Sequence, residues 1–146
     1  MPNVEPMIYE ASYNVEFSIA LMLLRVTAGI LFFFQGYDKL FRLGTSRVLD
    51  TIADPIRKTL FAIPVLRPMV FISSWVELLG GLCLILGLFK SYALYALSAD
   101  LAIVSVIFSS MKAMWDMQFY FPRFAMIVAL LLLPTKADIF TLERFL

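Results

Sequence analysis

Long apolar stretches, each interrupted by very few charges, dominate the pattern of hydrophobic and polar positions. Such stretches, when about 20 residues long, cross a hydrocarbon core of about 30 Å as α-helices. Because a chain in lipid must pair its own backbone groups, and because these stretches do not alternate like barrel strands, helices are predicted. The predicted fold is all-α, a single membrane domain of residues 1–146 with four transmembrane helices. The predicted spans are 17–37, 68–89, 91–111 and 117–134.

The fourth predicted span is less apolar at its start than the other three, because it contains Pro122 and Arg123. Proline is tolerated in the first turn of a helix or produces a kink, and an arginine near a helix end can extend its charge to the interface. The continuation, 124–133, is wholly apolar, which favours a span.

The connection between the first two spans, residues 38–67, is the long one, and part of it is amphipathic. Apolar residues recur there at every fourth position, at Val48, Ile52, Ile56 and Leu60. This spacing predicts a short amphipathic helix over about 46–63 that lies in the membrane interface. The alternative is a soluble segment that packs on the helix bundle.

The end of the chain predicts one more short element. Thr135 and Asp138 are spaced as in a helix-capping pattern, and apolar residues follow. A surface helix over about 136–146 is therefore predicted.

The distribution of lysine and arginine predicts the orientation. Seven such residues lie in or beside loop 38–67 and the 111–118 connection, or eight with Arg123, against three on the opposite side. The positive-inside rule then places loop 38–67 in the cytoplasm and both termini outside.

Composition narrows the chemistry. Of the 146 residues, 62% are hydrophobic and 16% charged, the net charge is +1, histidine is absent, and cysteine occurs once. This excludes a soluble domain of ordinary composition, argues against nucleic acid as a partner, and makes the lipid bilayer the expected surroundings. No ordinary zinc, haem or iron–sulfur site is expected, and no metal-binding residue is predicted. Without histidine the usual general base is missing, and no catalytic residue is assigned.

Three charges lie near the middle of predicted spans, where a charge is costly and is usually paired or functional. Arg25, Glu77 and Asp100 each lie about 12–13 Å from one end of their span, which places all three in one layer. We expect a buried cluster in which Arg25 meets one or both carboxylates and which can hold a ligand. The alternatives are a purely structural Arg25–Glu77 pair, and an Asp100 bonded to Ser98, Ser105 or a backbone carbonyl.

Small and polar-tipped residues accompany these charges. A helix-packing stripe is predicted, because glycine lets helix backbones approach closely. Its members are Gly29, Gly36, Lys39, Gly80, Gly81 and Gly87. Gln35, Tyr37 and Trp75 are the polar-tipped residues nearest the charged layer, and they are candidate contacts for a polar head group. The alternative is that these three anchor the helices at the interface.

Two motifs resemble those of the DoxX family. The first helix carries Arg25, then Gly29, then a closing Gly36-Tyr37-Asp38-Lys39-Leu40, and the second carries Glu77-Leu78-Leu79-Gly80-Gly81 followed by Leu86-Gly87-Leu88. The resemblance covers the first two spans and the loop between them, and Asp100 has no counterpart in it.

The resemblance implies a compact four-helix protein of a bacterial inner membrane. The family has been linked to thiosulfate:quinone oxidoreductase subunits and other membrane redox complexes, and relatives of the broader superfamily act as membrane chaperones or cargo receptors. The first expectation is therefore a subunit of a larger membrane complex, with other membrane-protein subunits as partners and quinone as the candidate cofactor. The alternative is an assembly or chaperone-like factor without catalysis, and a proton or solute conductor ranks last.

Overall fold

A computed structural model describes residues 4–56, 63–109, 117–134 and 138–144, and this part of the chain is helical without strands. Five α-helices account for most of it, with a π-helical turn at Asp38–Arg42 and a 3₁₀ turn at Leu142–Arg144. The α-helices are α1 (Val4–Tyr37), α2 (Thr45–Ile56), α3 (Ile63–Leu86), α4 (Lys90–Ser109) and α5 (Met117–Leu132).

The four long helices pack as a ring of neighbours: α1 against α3, α3 against α4, α4 against α5, and α5 against α1. Apolar side chains from all four fill the centre, where Ala28, Phe32, Leu84, Leu97 and Ile127 are fully buried or nearly so. α2 packs on α3. It therefore lies against the bundle, and its place in a membrane interface stays a prediction, as does everything predicted for residues 57–62, which lie outside the described part.

Glycines set the register between α1 and α3. A Cβ at Gly36 would lie 2.6 Å from the Ser74 carbonyl oxygen, and one at Gly29 would lie 2.9 Å from the Gly81 carbonyl oxygen. The two helices are thus antiparallel and in backbone contact, with the middle of α3 beside the C-terminal turns of α1. Gly80 faces the other way, since its Cβ would meet the Leu97 side chain of α4 at 2.9 Å.

The turn between α3 and α4 is short because a glycine ends α3. Gly87 has a positive φ of 69°, and the amide of Leu88 donates to the Cys83 carbonyl at 3.0 Å. This is the Schellman arrangement, in which glycine adopts the left-handed conformation after the last helical turn. Gly87 therefore caps α3 rather than packing within it, and α4 begins at Lys90 as an antiparallel neighbour.

Two helical stretches are long and apolar enough to cross a membrane, Asn14–Arg42 and Val65–Leu86, and a shorter apolar helix covers Tyr120–Leu132. α4 begins one residue before the third predicted span, whose residues 110 and 111 lie outside the described part, and α5 covers the fourth predicted span up to Leu132, two residues before its predicted end. The count of four membrane crossings stays a prediction.

The predicted C-terminal helix is wrong for the residues that the structure describes there. Residues 138–141 are not helical, and only Leu142–Arg144 form a single 3₁₀ turn. The physical reason is that this backbone bonds elsewhere: the Phe140 carbonyl accepts from Arg25, and the Glu143 amide donates to the Gly87 carbonyl. These bonds replace part of the ladder that a helix would need.

Candidate functional site

The buried charges of the bundle form two separate groups at different depths. The first, named here the Glu77 cluster, lies between α1, α3, α4 and α5 and comprises Gln35, Lys39, Ser73, Glu77, Asp100 and Arg123. The second, named here the Arg25 cluster, lies near the α3–α4 turn and comprises Arg25, Lys90 and Asp138.

Glu77 is the centre of its cluster and is only 1% exposed. The Lys39 Nζ lies 2.8 Å from both carboxylate oxygens and forms its hydrogen bond with Oε1. The Gln35 Nε2 donates to the same oxygen at 2.7 Å. Lys39 belongs to the π-helical turn that follows α1, a kind of irregularity that often occurs at functional sites. The register between α1 and α3 brings this turn level with Glu77.

Asp100 brings a second carboxylate to the cluster from α4, and it is 8% exposed. The Ser73 hydroxyl lies beside its carboxyl group, and the charges of Glu77 and Lys39 act on it. Ser98, one of the partners considered from the sequence, instead donates to the Leu94 carbonyl of its own helix at 2.6 Å.

Arg123 completes the cluster from α5, where its charge acts on Glu77. The cluster thus contains two cationic and two anionic side chains, and it joins the four long helices.

Arg25 is 3% exposed and pairs with Asp138 of the C-terminal segment, its Nε 2.8 Å from Oδ2. Its Nη1 donates to the carbonyls of Leu84 and Ile85, the latter at 3.1 Å. Its Nη2 donates to the Phe140 carbonyl at 2.7 Å. The guanidinium therefore uses all three nitrogens to join α1 to the end of α3 and to the C-terminal segment.

The prediction that Arg25 contacts Glu77 or Asp100 is wrong. All three side chains are buried, but Arg25 pairs with Asp138 and Glu77 with Lys39. The reason is the helix register, because Gly36, and not Arg25, lies beside the turn of α3 that carries Glu77. Arg25 precedes Gly36 by eleven residues, which is about 16 Å along a helix axis.

The three residues predicted to contact a head group do not lie together in the structure. Gln35 belongs to the Glu77 cluster, whereas Tyr37 stacks on Phe33 and Trp75 meets Phe71 edge to face. Both of these aromatic side chains are partly exposed on the outside of the bundle. A role in binding a head group stays a prediction for all three.

Asp138, like Ser73 and Arg123 of the Glu77 cluster, is a site residue that sequence reasoning missed. Its position suggested a cap for a C-terminal helix, and it lies 113 residues from Arg25 in the chain. One feature of the sequence could have identified it. Asp138 directly follows the last apolar stretch, which ends on the same side of the bundle as the end of the first helix that lies nearer to Arg25.

The Glu77 cluster can accept hydrogen bonds as it stands. Within the described part of the chain, two buried acceptors of the cluster, Gln35 Oε1 and Asp100 Oδ2, have no hydrogen-bond partner, whereas Glu77 Oε2 is in ion-pair contact with the Lys39 ammonium. Buried polar atoms are usually partnered, so these acceptors are suited to a polar ligand or a mobile proton. Among the described residues, no three His, Cys, Asp or Glu side chains are grouped as a metal site would require.

Comparison with known proteins agrees with the motifs. The sequence model of the DoxX family matches residues 20–110, more than half of the chain, and the match extends into α4 beyond the two spans that carry the motifs. Neither the comparison with curated proteins nor the comparison with solved structures gives a significant match. The matched region contains Arg25 and Glu77 together with Lys39 and Asp100, and the chain belongs to the DoxX family of membrane proteins.

Proposed function

We propose that this chain is a four-span membrane subunit of a larger, quinone-linked complex. In this proposal its Glu77 cluster hydrogen-bonds a polar head group inside the bilayer. The observation that carries the proposal is the contact of Lys39 and Gln35 with Glu77 inside a largely apolar bundle. Charges at this depth are expensive, so their presence favours a function.

The residues of the cluster suit different parts of that task. Lys39 and Gln35 supply N–H donors of the kind that a quinone carbonyl accepts, and Glu77 and Asp100 can carry protons. Reduction of a bound quinone takes up two electrons and two protons. The electrons would come from a partner subunit, because the residues named here are not redox carriers.

The proposal includes the surroundings of the protein. The expected location is a bacterial inner membrane, with α1, α3, α4 and α5 as the four spans and loop 38–67 on the cytoplasmic side. The clustering of lysine and arginine around that loop supports this orientation. α2, which packs on α3, would then lie on the cytoplasmic face of the bundle.

The test uses the full chain purified in a mild detergent together with whatever remains bound. Bound quinone and co-purifying polypeptides are quantified by mass spectrometry for the parent, for Glu77→Gln, and for Asp38→Asn. The control removes a carboxylate from an exposed pair with Arg42 next to the cluster. We expect Glu77→Gln to lose at least 90% of the bound quinone while Asp38→Asn keeps it. A parent protein without stoichiometric quinone would refute the redox role.

A second function is favoured by the outer aromatic side chains. Phe33, Tyr37 and Phe41 form successive ring contacts, the first stacked and the second tilted, along one side of the first helix and the π-turn, and Tyr37 and Phe41 are exposed. Such a ridge can pack against a helix of another protein, as an assembly or chaperone-like factor requires. A stoichiometric polypeptide without quinone, released by Phe41→Ala but not by Glu77→Gln, would favour this alternative.

A further inference from the structure

We propose that residues 138–144 form a C-terminal strap that closes one end of the helix bundle. The Arg25–Asp138 ion pair is the latch of this strap, so that loss of the latch opens the strap while the bundle persists. This inference is independent of the proposed quinone-linked function, since it concerns the Arg25 cluster alone.

The strap is anchored at several points that lie at the same end of the bundle. Arg25 of α1 binds both the Asp138 carboxylate and the Phe140 carbonyl. The Glu143 amide donates to the Gly87 carbonyl at 3.3 Å, beyond the end of α3. Thr141, only 4% exposed, lies against Gly87. The strap therefore joins α1 to the α3–α4 turn.

The strap covers a small internal cavity. Arg25, Lys90 and Asp138 line a volume of about 20 Å³ together with leucines of the long helices. Leu94 and Leu133 separate it from a wider cleft of about 290 Å³ between the start of α4 and the end of α5. Movement of the strap away from the α3–α4 turn would open the cavity and expose the guanidinium of Arg25.

The balance of forces makes the ion pair the latch. Phe140 and Leu142, the large apolar side chains at the middle of the strap, remain 43% and 46% exposed. Only about half of each side chain is buried, so each contributes less to closure than a fully buried side chain would. A buried guanidinium that loses its carboxylate is unfavourable, because the carbonyl groups that still accept from it carry no net charge to balance its own. Opening the strap relieves this cost by admitting water to Arg25, whereas the apolar core of the bundle is unaffected.

The test measures how fast single cysteines react with a water-soluble maleimide in the purified full chain. Cys83 is first replaced by alanine, and three reporters are then compared: Thr141→Cys in the buried part of the strap, Leu142→Cys in its exposed part, and Ala93→Cys in the core of α4. In the protein that keeps Asp138, we expect the cysteine at position 141 to react at least tenfold more slowly than the cysteine at position 142.

The latch is then removed by Asp138→Asn, with Glu143→Gln as the matched control in the same strap. We expect Asp138→Asn to accelerate labelling at position 141 at least tenfold, to change position 142 less than twofold, and to leave position 93 protected. Glu143→Gln should change none of the three.

Three results would overturn the proposal. Equal labelling at positions 141 and 142 with the parent latch would show that the strap is not closed, whatever the variants do. Unchanged labelling at position 141 in Asp138→Asn would show that the ion pair is not the latch. Simultaneous loss of protection at positions 141 and 93 would show that the pair supports the whole bundle and not a separable strap.

Discussion

The Lys39 ammonium and the Glu77 carboxylate lie 2.8 Å apart, and the carboxylate belongs to a nearly inaccessible side chain. Breaking such a pair by removing one partner leaves a buried charge, at a cost of about 3–5 kcal/mol. We therefore expect Lys39→Met to lower the free energy of unfolding by about this amount, measured by denaturant titration in detergent micelles.

The same pair allows a sharper comparison. The double variant Lys39→Met, Glu77→Leu removes both charges and should recover most of that loss, because an apolar pair avoids the desolvation cost. Arg42→Met is the control: it breaks the exposed Asp38–Arg42 pair and should cost less than about 1 kcal/mol. A double variant as unstable as Lys39→Met would contradict the paired-charge explanation.

A second prediction concerns the close approach of α1 and α3. A Cβ at Gly36 would meet backbone atoms of α3, including the Ser74 carbonyl oxygen at 2.6 Å, and backbone cannot move aside as a side chain can. We expect Gly36→Ala to destabilise the protein by about 1–3 kcal/mol, the usual cost of overpacking. Thermal unfolding followed by circular dichroism measures this change.

Gly80→Ala is the matched comparison for Gly36→Ala. The atoms nearest to its new methyl group belong to the Leu97 side chain, with Cγ at 2.9 Å, and a leucine side chain can change its rotamer. The loss of stability should therefore be clearly smaller than for Gly36→Ala. Equal losses at the two positions would mean that backbone contact between α1 and α3 is not the limiting feature.

A third prediction separates two requirements for glycine at position 87. The left-handed conformation there disfavours residues with a side chain, but asparagine tolerates it better than alanine. A Cβ would also lie 2.9 Å from Arg25 Nη1 and 3.0 Å from Thr141. If crowding dominates, Gly87→Asn and Gly87→Ala should both lower the melting temperature similarly. A melting temperature near that of the parent for Gly87→Asn alone would show that backbone conformation dominates.

Much of the fold is predictable from the sequence because apolar stretches determine where helices form. α4 and α5 occupy the third and fourth predicted stretches closely, and α3 begins five residues before its predicted start. The first helix extends beyond its predicted start because Val4–Glu16 continue it without a helix-breaking residue other than Pro6. Proline near a helix start costs no hydrogen bond.

The partners within the two clusters could not be predicted, because they depend on the sliding of one helix along another. Counting from the ends of the apolar stretches placed Arg25 and Glu77 at one depth. The glycine contacts shift α3 relative to α1 by about three helical turns from that arrangement, so that Glu77 lies beside Lys39. Asp138 was missed for a related reason: its partner is far away in the sequence, and no periodicity marks a carboxylate in a non-helical segment.

A fourth prediction concerns the contact between α4 and α5. The Tyr120 hydroxyl donates a hydrogen bond of 3.0 Å to the Leu101 carbonyl, and the Tyr120 ring stacks on Phe124. Tyr120→Phe keeps the ring and removes one neutral hydrogen bond, so it should cost about 0.5–1.5 kcal/mol. Tyr95→Phe is the control, since Tyr95 is 65% exposed on α4 and its replacement should change stability little. Denaturant titration of the two variants measures the difference. A Tyr120→Phe protein as stable as the Tyr95→Phe protein would show that packing alone, and not this hydrogen bond, holds α5 to α4.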